Sequence, residues 1–412
     1  MSNSILVVGG GFSGLTAAIE AAELGYDVYI IEKTPFLGGR VAQLNKYFPK
    51  LCPPSCGLEI QFQRIRKNPR IRFFTQAELV SVSGNKGKYK VKVCLQPRRT
   101  VPHNVDMGLL ASTLEGETPS EFEFGLANRK ALYRSMPFAF PGRYVLDPSA
   151  LSTKDKIKLA SAAGCLLDET AKELELEVGS IVIATGWKPY DVTRLTNLGA
   201  GSIRNCVSNM QLERLASPFG PTQGVVRRPS DGRAPRSVAF VQCAGSRDQN
   251  HLNFCSYICC MASLKQALYL SEQDPQTQIA IFYIDLRTPG RYMNVLEKVK
   301  AAPNVRFVKG KVAEITEDGA TGNVVLTAED AVRGEKLTLM YDMAVLATGM
   351  QPTLAGENLP LPVSVDADGF VVNGEEAGIY VAGCARMPLD VMRCAQSGTA
   401  AAMKAVQTAK GR

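Results

Sequence analysis

The chain has 412 residues, 45% of them hydrophobic and 21% charged, with a formal net charge of +8. These are values of an ordinary globular protein with core enough for two or three domains. The basic residues are spread, and the densest run, Arg64, Arg66, Lys67, Arg70 and Arg72, has no aromatic stacking pattern, so it reads as a solvated face and nucleic acid is excluded as a partner. No apolar run approaches the roughly 18–20 residues that span a bilayer, and no signal-peptide pattern precedes the first strand. The expectation is a cytoplasmic protein that reaches a membrane only through partners.

Residues 4–8 form a short apolar run suited to a buried parallel strand, residues 15–24 an Ala-rich helix closed by Gly25, and residues 28–31 a second strand ending at Glu32. Between strand and helix lies Gly9-Gly10-Gly11-Phe12-Ser13-Gly14, a G-x-G-x-x-G in the context that gives the motif meaning. Gly9 permits the tight turn, Gly11 lets main chain approach a pyrophosphate, and Gly14 lets helix and strand pack closely. The helix N-terminus, with Phe12 and Ser13 in its first turn, offers unpaired N–H groups to the phosphates. Glu32, followed by Lys33, can accept hydrogen bonds from both hydroxyls of an adenosine ribose. Up to this point NAD and FAD are equally served. Gly38-Gly39-Arg40 then follows, and two-dinucleotide-binding flavoproteins carry a similar Gly-Gly pair against their flavin. That second element favours FAD.

Two later segments, 179–186 and 343–349, are each a buried strand ending in Ala-Thr-Gly and each is followed by a turn with Pro. In the flavoprotein class, residues such as Ala184, Thr185 and Gly186 mark where the chain leaves the FAD domain, and the second Ala-Thr-Gly marks its return. The expected division is an FAD-binding domain over 1–187 and 345–412, with a second Rossmann-like domain over 188–344. The second sheet begins at 237–241, but the next turn reads Gln242-Cys243-Ala244-Gly245-Ser246-Arg247 and lacks the glycines of a nicotinamide site. Residues 97–147 are Pro-rich with scattered aromatics, an excursion that either packs on itself or meets a partner. Near the C-terminus, 378–385 reads as a strand and tight turn, and 396–406 as an Ala-rich helix with Ser397 in its first turn. In related flavoproteins this unit meets the ribityl chain and pyrimidine edge of FAD, and a helix N-terminus there stabilises negative charge. The usual Gly-Asp pair is Gly383-Cys384 here, which removes one acceptor for ribityl hydroxyls. The fold class that follows is α/β, a glutathione/thioredoxin reductase-like flavoprotein with two dinucleotide-binding domains and a degraded second motif.

The 11 cysteines read as thiols, metal ligands or redox groups rather than a disulfide framework. Cys243, Cys255, Cys259 and Cys260 could hold a [4Fe–4S] cluster, although the adjacent pair is awkward for a ferredoxin loop and buried thiols are the alternative. Cys52 and Cys56 are either a redox pair or part of a structural turn. Cys94, Cys165 and Cys206 read as core residues, and Cys394 lies near the expected flavin face. Neither His103 nor His251 belongs to a metal-ligand spacing, and no hydrolytic triad stands out.

The glycine loop at 9–14, Cys52 and Cys56, and Cys243-Ala-Gly-Ser-Arg with Cys255-x3-Cys-Cys together resemble the A-type subunits of the heterodisulfide reductase family. Lys130-Ala-Leu-Tyr, Arg143-Tyr-Val-Leu-Asp and Gly383-Cys384 match as well. The longer members' ferredoxin-like modules have no counterpart here, so the pattern looks like the short form found in quinone-interacting membrane-bound oxidoreductases of sulfate reducers. That resemblance implies FAD, a [4Fe–4S] cluster on the four cysteines, and other flavin and iron–sulfur subunits as partners. It also implies a quinone-reactive membrane protein and adenylylsulfate reductase as further partners, and a cytoplasmic position peripheral to the inner membrane. Two rival readings stand beside it: an NAD(P)H-dependent disulfide or coenzyme reductase using Cys52 and Cys56, and a scaffold whose flavin is structural.

Overall fold

The computed structural model describes residues 2–411 apart from 102–104, 161, 163, 358 and 373, so His103 lies outside the described residues. Two compact units are present, one of Met1–Gln43, Lys50–Trp187 and Pro352–Arg412, the other of Leu44–Pro49 and Lys188–Gln351.

The first unit is built on a five-stranded parallel sheet in the order Ile379–Val381, Ser180–Ile183, Ser4–Val8, Asp27–Glu32, Ile71–Thr75. Its central strand is apolar from Ile5 to Val8, with Ile5, Leu6 and Val7 fully buried, as a parallel strand covered on both faces must be. Val7 pairs with Val182 on one side and Ile30 on the other. Helix Phe12–Glu23 buries Ala17, Ala18, Ala21 and Ala22. These small side chains let it lie close to the last helix, where a Cβ on Gly398 would stand 2.5 Å from the Ser13 carbonyl oxygen. An antiparallel sheet of Lys172–Val178, Lys88–Leu95 and Ala77–Asn85 completes the core.

The last helix runs over Val391–Ala409, beginning before the expected Gln396. Asp390 sets that start by accepting from the Arg393 N–H at 2.8 Å, an N-cap. A carboxylate therefore already stands at the helix N-terminus that was expected to face negative charge. The excursion carries a helix, Met107–Ser112, and short antiparallel pairs around a small core of Ala111, Leu114, Ala131, Leu132, Leu146 and Leu159. Phe122 meets Phe36 edge-on at 5.5 Å and Phe140 stacks on Phe62 at 5.0 Å. These two rings are buried against residues of the same unit outside the excursion, so they neither pack within the excursion itself nor stand free for a partner.

The second unit repeats the plan. Its parallel sheet runs Cys206–Ser208, Met343–Thr348, Ser237–Ala244, Gln278–Tyr283, Val305–Lys309, beside an antiparallel sheet of Val312–Glu317, Val324–Asp330 and Glu335–Tyr341. Two boundaries differ from the expected ones. Residues 345–351 belong here, because Val345 and Leu346 pair with Phe240 and Val241 in the middle of this sheet. Residues 44–49 belong here too: the buried Glu213 carboxylate accepts from the Asn45 N–H at 2.9 Å and meets Lys265 Nζ at 3.0 Å, while Lys265 donates to the Lys46 carbonyl at 2.6 Å. No described helix is long and apolar enough to cross a membrane.

Candidate functional site: a glycine cradle and a set of four thiols

In the first unit the turn after strand Ser4–Val8 is shaped by absent side chains. Gly9 sits at φ +111°, and a Cβ there would stand 2.3 Å from the Ala184 carbonyl oxygen, a position that requires glycine. On Gly14 a Cβ would stand 1.9 Å from the Gly9 carbonyl oxygen, so the helix begins against the strand end. Gly11 precedes the helix, and a Cβ there would have only Gly39 Cα within 4 Å, at 3.9 Å; this main chain faces open space. The Gly38 N–H donates to the Gly10 carbonyl at 2.8 Å and ties the Gly-Gly segment to the glycine loop.

That open space is a cavity of about 560 Å³. Gly9, Gly11, Phe12 and Ser13 form its floor, and Glu32, Lys33, Gly39 and Arg40 one side. Ala184, Thr185, Gly186 and Cys384 form another. Gly14, Gly383 and Ser397 stand behind the wall instead. Gly14 packs on Gly9, while the Gly383 N–H donates to Ser397 Oγ at 2.9 Å. Sequence reasoning missed Gln43, Phe122, Arg129, Tyr133 and Trp187 in the lining. The excursion supplies Phe122, Arg129 and Tyr133, and no local motif announces them. Trp187 had a signal, being the sole Trp of the chain and next to Gly186.

Polar groups converge on this space. Glu32 Oε2 accepts from the Gly10 N–H at 2.7 Å, and Oε1 accepts from the Thr34 N–H and Oγ1 at 2.8 Å each. A carboxylate has about four lone-pair directions, so Glu32 has room for one further donor rather than both ribose hydroxyls. Burial pushes its carboxyl up from the ordinary range, opposed by those hydrogen bonds and by Arg40. Burial likewise lowers Arg40, opposed by Glu32. Arg40 Nη1 donates to Gln43 at 2.9 Å and Nε to the Trp187 carbonyl at 3.2 Å. At the rim, Lys33 reaches Glu78 at 3.5 Å.

Two lining residues keep buried polar atoms without a hydrogen-bond partner, Thr185 Oγ1 and the Nε and Nη1 of Arg129. Such atoms cost free energy unless something satisfies them. A cradle that side chains would fill, a carboxylate beside it, and orphaned hydroxyl and guanidinium donors fit an adenine dinucleotide with its diphosphate on main chain.

A family model described as FAD dependent oxidoreductase matches residues 4–50, the segment carrying the cradle. In that segment the chain is similar to FAD-dependent oxidoreductases. Over 98% of its length it is 36% identical to an iron–sulfur subunit of CoB–CoM heterodisulfide reductase from Methanopyrus kandleri, of which it spans 64%. Over its full length it is 34% identical to the corresponding iron–sulfur subunit from Methanocaldococcus jannaschii, of which it spans 65%. Thioredoxin reductases share the fold: that of Lactococcus lactis superposes with a TM-score of 0.55 at 12% identity, covering 99% of each chain. That of T. acidophilum gives 0.54 at 14% identity, covering 100% of this chain and 99% of its own.

The matching turn of the second unit is built differently. Strand Ser237–Ala244 is not followed directly by a helix; residues 245–258 intervene before helix Cys259–Gln273. Tyr190 packs on this turn, so that a Cβ on Gly245 would stand 2.7 Å from its ring, and its hydroxyl meets His251 Nδ1 at 2.8 Å. His251 thus serves a core contact. Cys243, Arg247 and Tyr257 all adopt positive φ, at 55°, 58° and 62°. Each costs about 1–3 kcal/mol, strain that the loop carries around its cysteines.

Those cysteines lie within electrostatic reach of one another. Burial pushes the Cys259 thiol well up, and Cys243, Cys260 and Cys255 add to that; Cys260 is pushed up to about 11, mainly by burial. Burial also raises Cys243, opposed by the Arg247 guanidinium. Arg287 is raised chiefly by Cys255, and the Tyr257 N–H points at Cys255 Sγ at 3.3 Å. Among the described residues no group of three or more His, Cys, Asp or Glu has the geometry for a metal ion. A four-iron cluster spreads its thiolates around a cube rather than onto one ion. Four soft donors flanked by two guanidiniums and an N–H suit the former. Cys206 is a core thiol, pushed up to about 12 by burial. Cys52 is half-buried and Cys56 exposed at the start of helix Pro54–Lys67, both free thiols, and neither lines the cavity.

Proposed function

We propose that this chain is the flavin-bearing electron-transfer subunit of a multi-subunit oxidoreductase of the heterodisulfide reductase kind. The observation that carries it is the contrast between the open glycine cradle of the first unit and the side-chain-packed turn of the second. FAD bound in the cavity would supply exchange of electrons in pairs or singly. Gly11 and the start of helix Phe12–Glu23 would hold its diphosphate. Glu32 would take a ribose hydroxyl, and Thr185 and Arg129 would donate to its polar atoms. Cys243, Cys255, Cys259 and Cys260 would hold one [4Fe–4S] cluster, which supplies one-electron transfer. Arg247 and Arg287 would offset the negative charge of the four thiolates.

The partners on this reading are other flavin and iron–sulfur subunits, consistent with the relatives' naming as iron–sulfur subunits. The finer assignment places the chain in the cytoplasm, peripheral to the inner membrane, where it would link a quinone-reactive membrane protein to adenylylsulfate reductase. The resemblance of its sequence pattern supports this. Anaerobic mixing of the purified, flavin-loaded chain with NADH tests the core of the proposal. The flavin absorbance should persist without partner proteins; rapid bleaching by NADH alone contradicts it. Co-purification from native membranes with a quinone-reactive protein tests the finer assignment, and recovery with soluble partners alone contradicts it.

A further inference from the structure

Cys384 and Cys394 are separated by a turn that returns the chain upon itself. Gly383, at φ +65°, opens a 3-10 turn over Gly383–Ala385, and its N–H donates to Ser397 Oγ. This holds the turn against helix Val391–Ala409, in whose first turns Cys394 lies. The two sulfurs stand 3.6 Å apart, and the Leu389 carbonyl oxygen lies 3.4 Å from Cys384 Sγ and 3.9 Å from Cys394 Sγ. A disulfide needs about 2 Å between sulfurs, so the two must approach by less than the length of that bond to form it.

Both cysteines line the flavin cavity, yet they are 5% and 9% exposed. A redox partner for them must therefore occupy that cavity. The pair is also asymmetric. The hydrogen bond from Cys384, helped by Ser13, holds the Cys394 thiol below its ordinary range, while the same bond and burial hold Cys384 well above. Cys394 is the sulfur disposed to act as thiolate and Cys384 the one that keeps its proton.

We propose that Cys384 and Cys394 form a two-electron dithiol–disulfide couple in the cavity wall, with the flavin as its redox partner. The proposal rests on the flavin-bearing function above. In the oxidising direction the two thiols give up two electrons and two protons as the Sγ–Sγ bond forms. Oxidised flavin accepts both electrons and at least one proton, and any remaining proton goes to solvent. The reverse step cleaves the disulfide with electrons from reduced flavin.

The test uses the flavin-loaded chain without oxygen, with its flavin and iron content measured first. Samples with the flavin fully oxidised and fully reduced are quenched in acid, alkylated and mapped by peptide mass spectrometry. A cross-linked peptide joining Cys384 to Cys394 should appear in the oxidised sample, and two alkylated cysteines in the reduced one. A dithionite titration should consume two more electrons per flavin in the wild type than in Cys394→Ala of equal iron content. Full alkylation of both residues beside oxidised flavin overturns the proposal, and the mapping decides this on the wild type even if the variant fails to fold. A chain that binds no flavin overturns both this proposal and the function it rests on. A flavin-loaded chain without the cross-link overturns this one alone.

Discussion

The two units share one plan, a five-stranded parallel sheet beside a three-stranded antiparallel one, and differ at the turn after the central strand. In the first unit the turn passes through Gly9 and Gly11 and enters helix Phe12–Glu23 at once. In the second it passes through a strained Cys243, and residues 245–258 intervene before helix Cys259–Gln273. Removing side chains at a helix start makes room for a diphosphate on main chain. Lengthening the turn and placing cysteines in it and at its two ends would make a site for soft metal chemistry on the proposed function. On that reading, one architecture would hold two kinds of electron carrier, depending on what replaces the glycines.

Substitutions confined to one unit sharpen that contrast. The largest effect is expected from Glu213→Ala, which leaves Lys265 buried without its carboxylate. Loss of one partner of a buried pair costs about 3–5 kcal/mol. Urea denaturation should show this loss, with FAD affinity of the folded fraction unchanged. Next comes Gly14→Ala, whose Cβ would stand 1.9 Å from the Gly9 carbonyl oxygen. Overpacking against main chain costs about 3 kcal/mol, and flavin fluorescence titration should show binding abolished. Gly25→Ala is its control: at φ +93° with nothing within 4 Å, it should cost about 1–2 kcal/mol and leave FAD bound.

A smaller effect is expected from Glu32→Gln, which keeps the shape but removes the charge of the acceptor. Hydrogen bonds to a charged group contribute about 1.5–3 kcal/mol, so the FAD dissociation constant should rise about 10- to 100-fold. An unchanged constant would remove Glu32 from the site. The smallest effect is on pH dependence. Because burial raises the Glu32 carboxyl in the folded chain, the native state keeps a proton that the unfolded state releases. Relative to Glu32→Gln, the flavin-free wild type should lose stability as pH rises from the ordinary carboxyl value to the raised one. The slope should stay below about 1.4 kcal/mol per pH unit, and thermal melts across that window measure it.

The cradle was legible in the sequence because its glycines, strand and helix are contiguous, and each has a local reason. Glu32 and Arg40 were legible for the same reason, as short-range consequences of one βαβ unit. Arg129 and Tyr133 were not, since they come from an excursion whose fold is set by its own small core. The last helix was read as starting at Gln396 because the Ala-rich pattern begins there, whereas the Asp390 cap fixes its start at Val391. The boundary at 345 failed for a different reason. Ala-Thr-Gly marks the end of a strand, and only pairing with Phe240 and Val241 tells which sheet that strand belongs to. Residues 44–49 joined the second unit through Glu213 and Lys265, a long-range link that no local pattern encodes.

A dinucleotide flavin in the first unit, and no nicotinamide at the turn of the second, can be counted directly. Cofactor released by heat from the chain, purified in the cold without added nucleotide, should be identified by chromatography and measured against protein. One FAD per chain and no NAD or NADP is the expected result; a chain that holds a nicotinamide nucleotide, or that stays colourless after incubation with FAD, contradicts it.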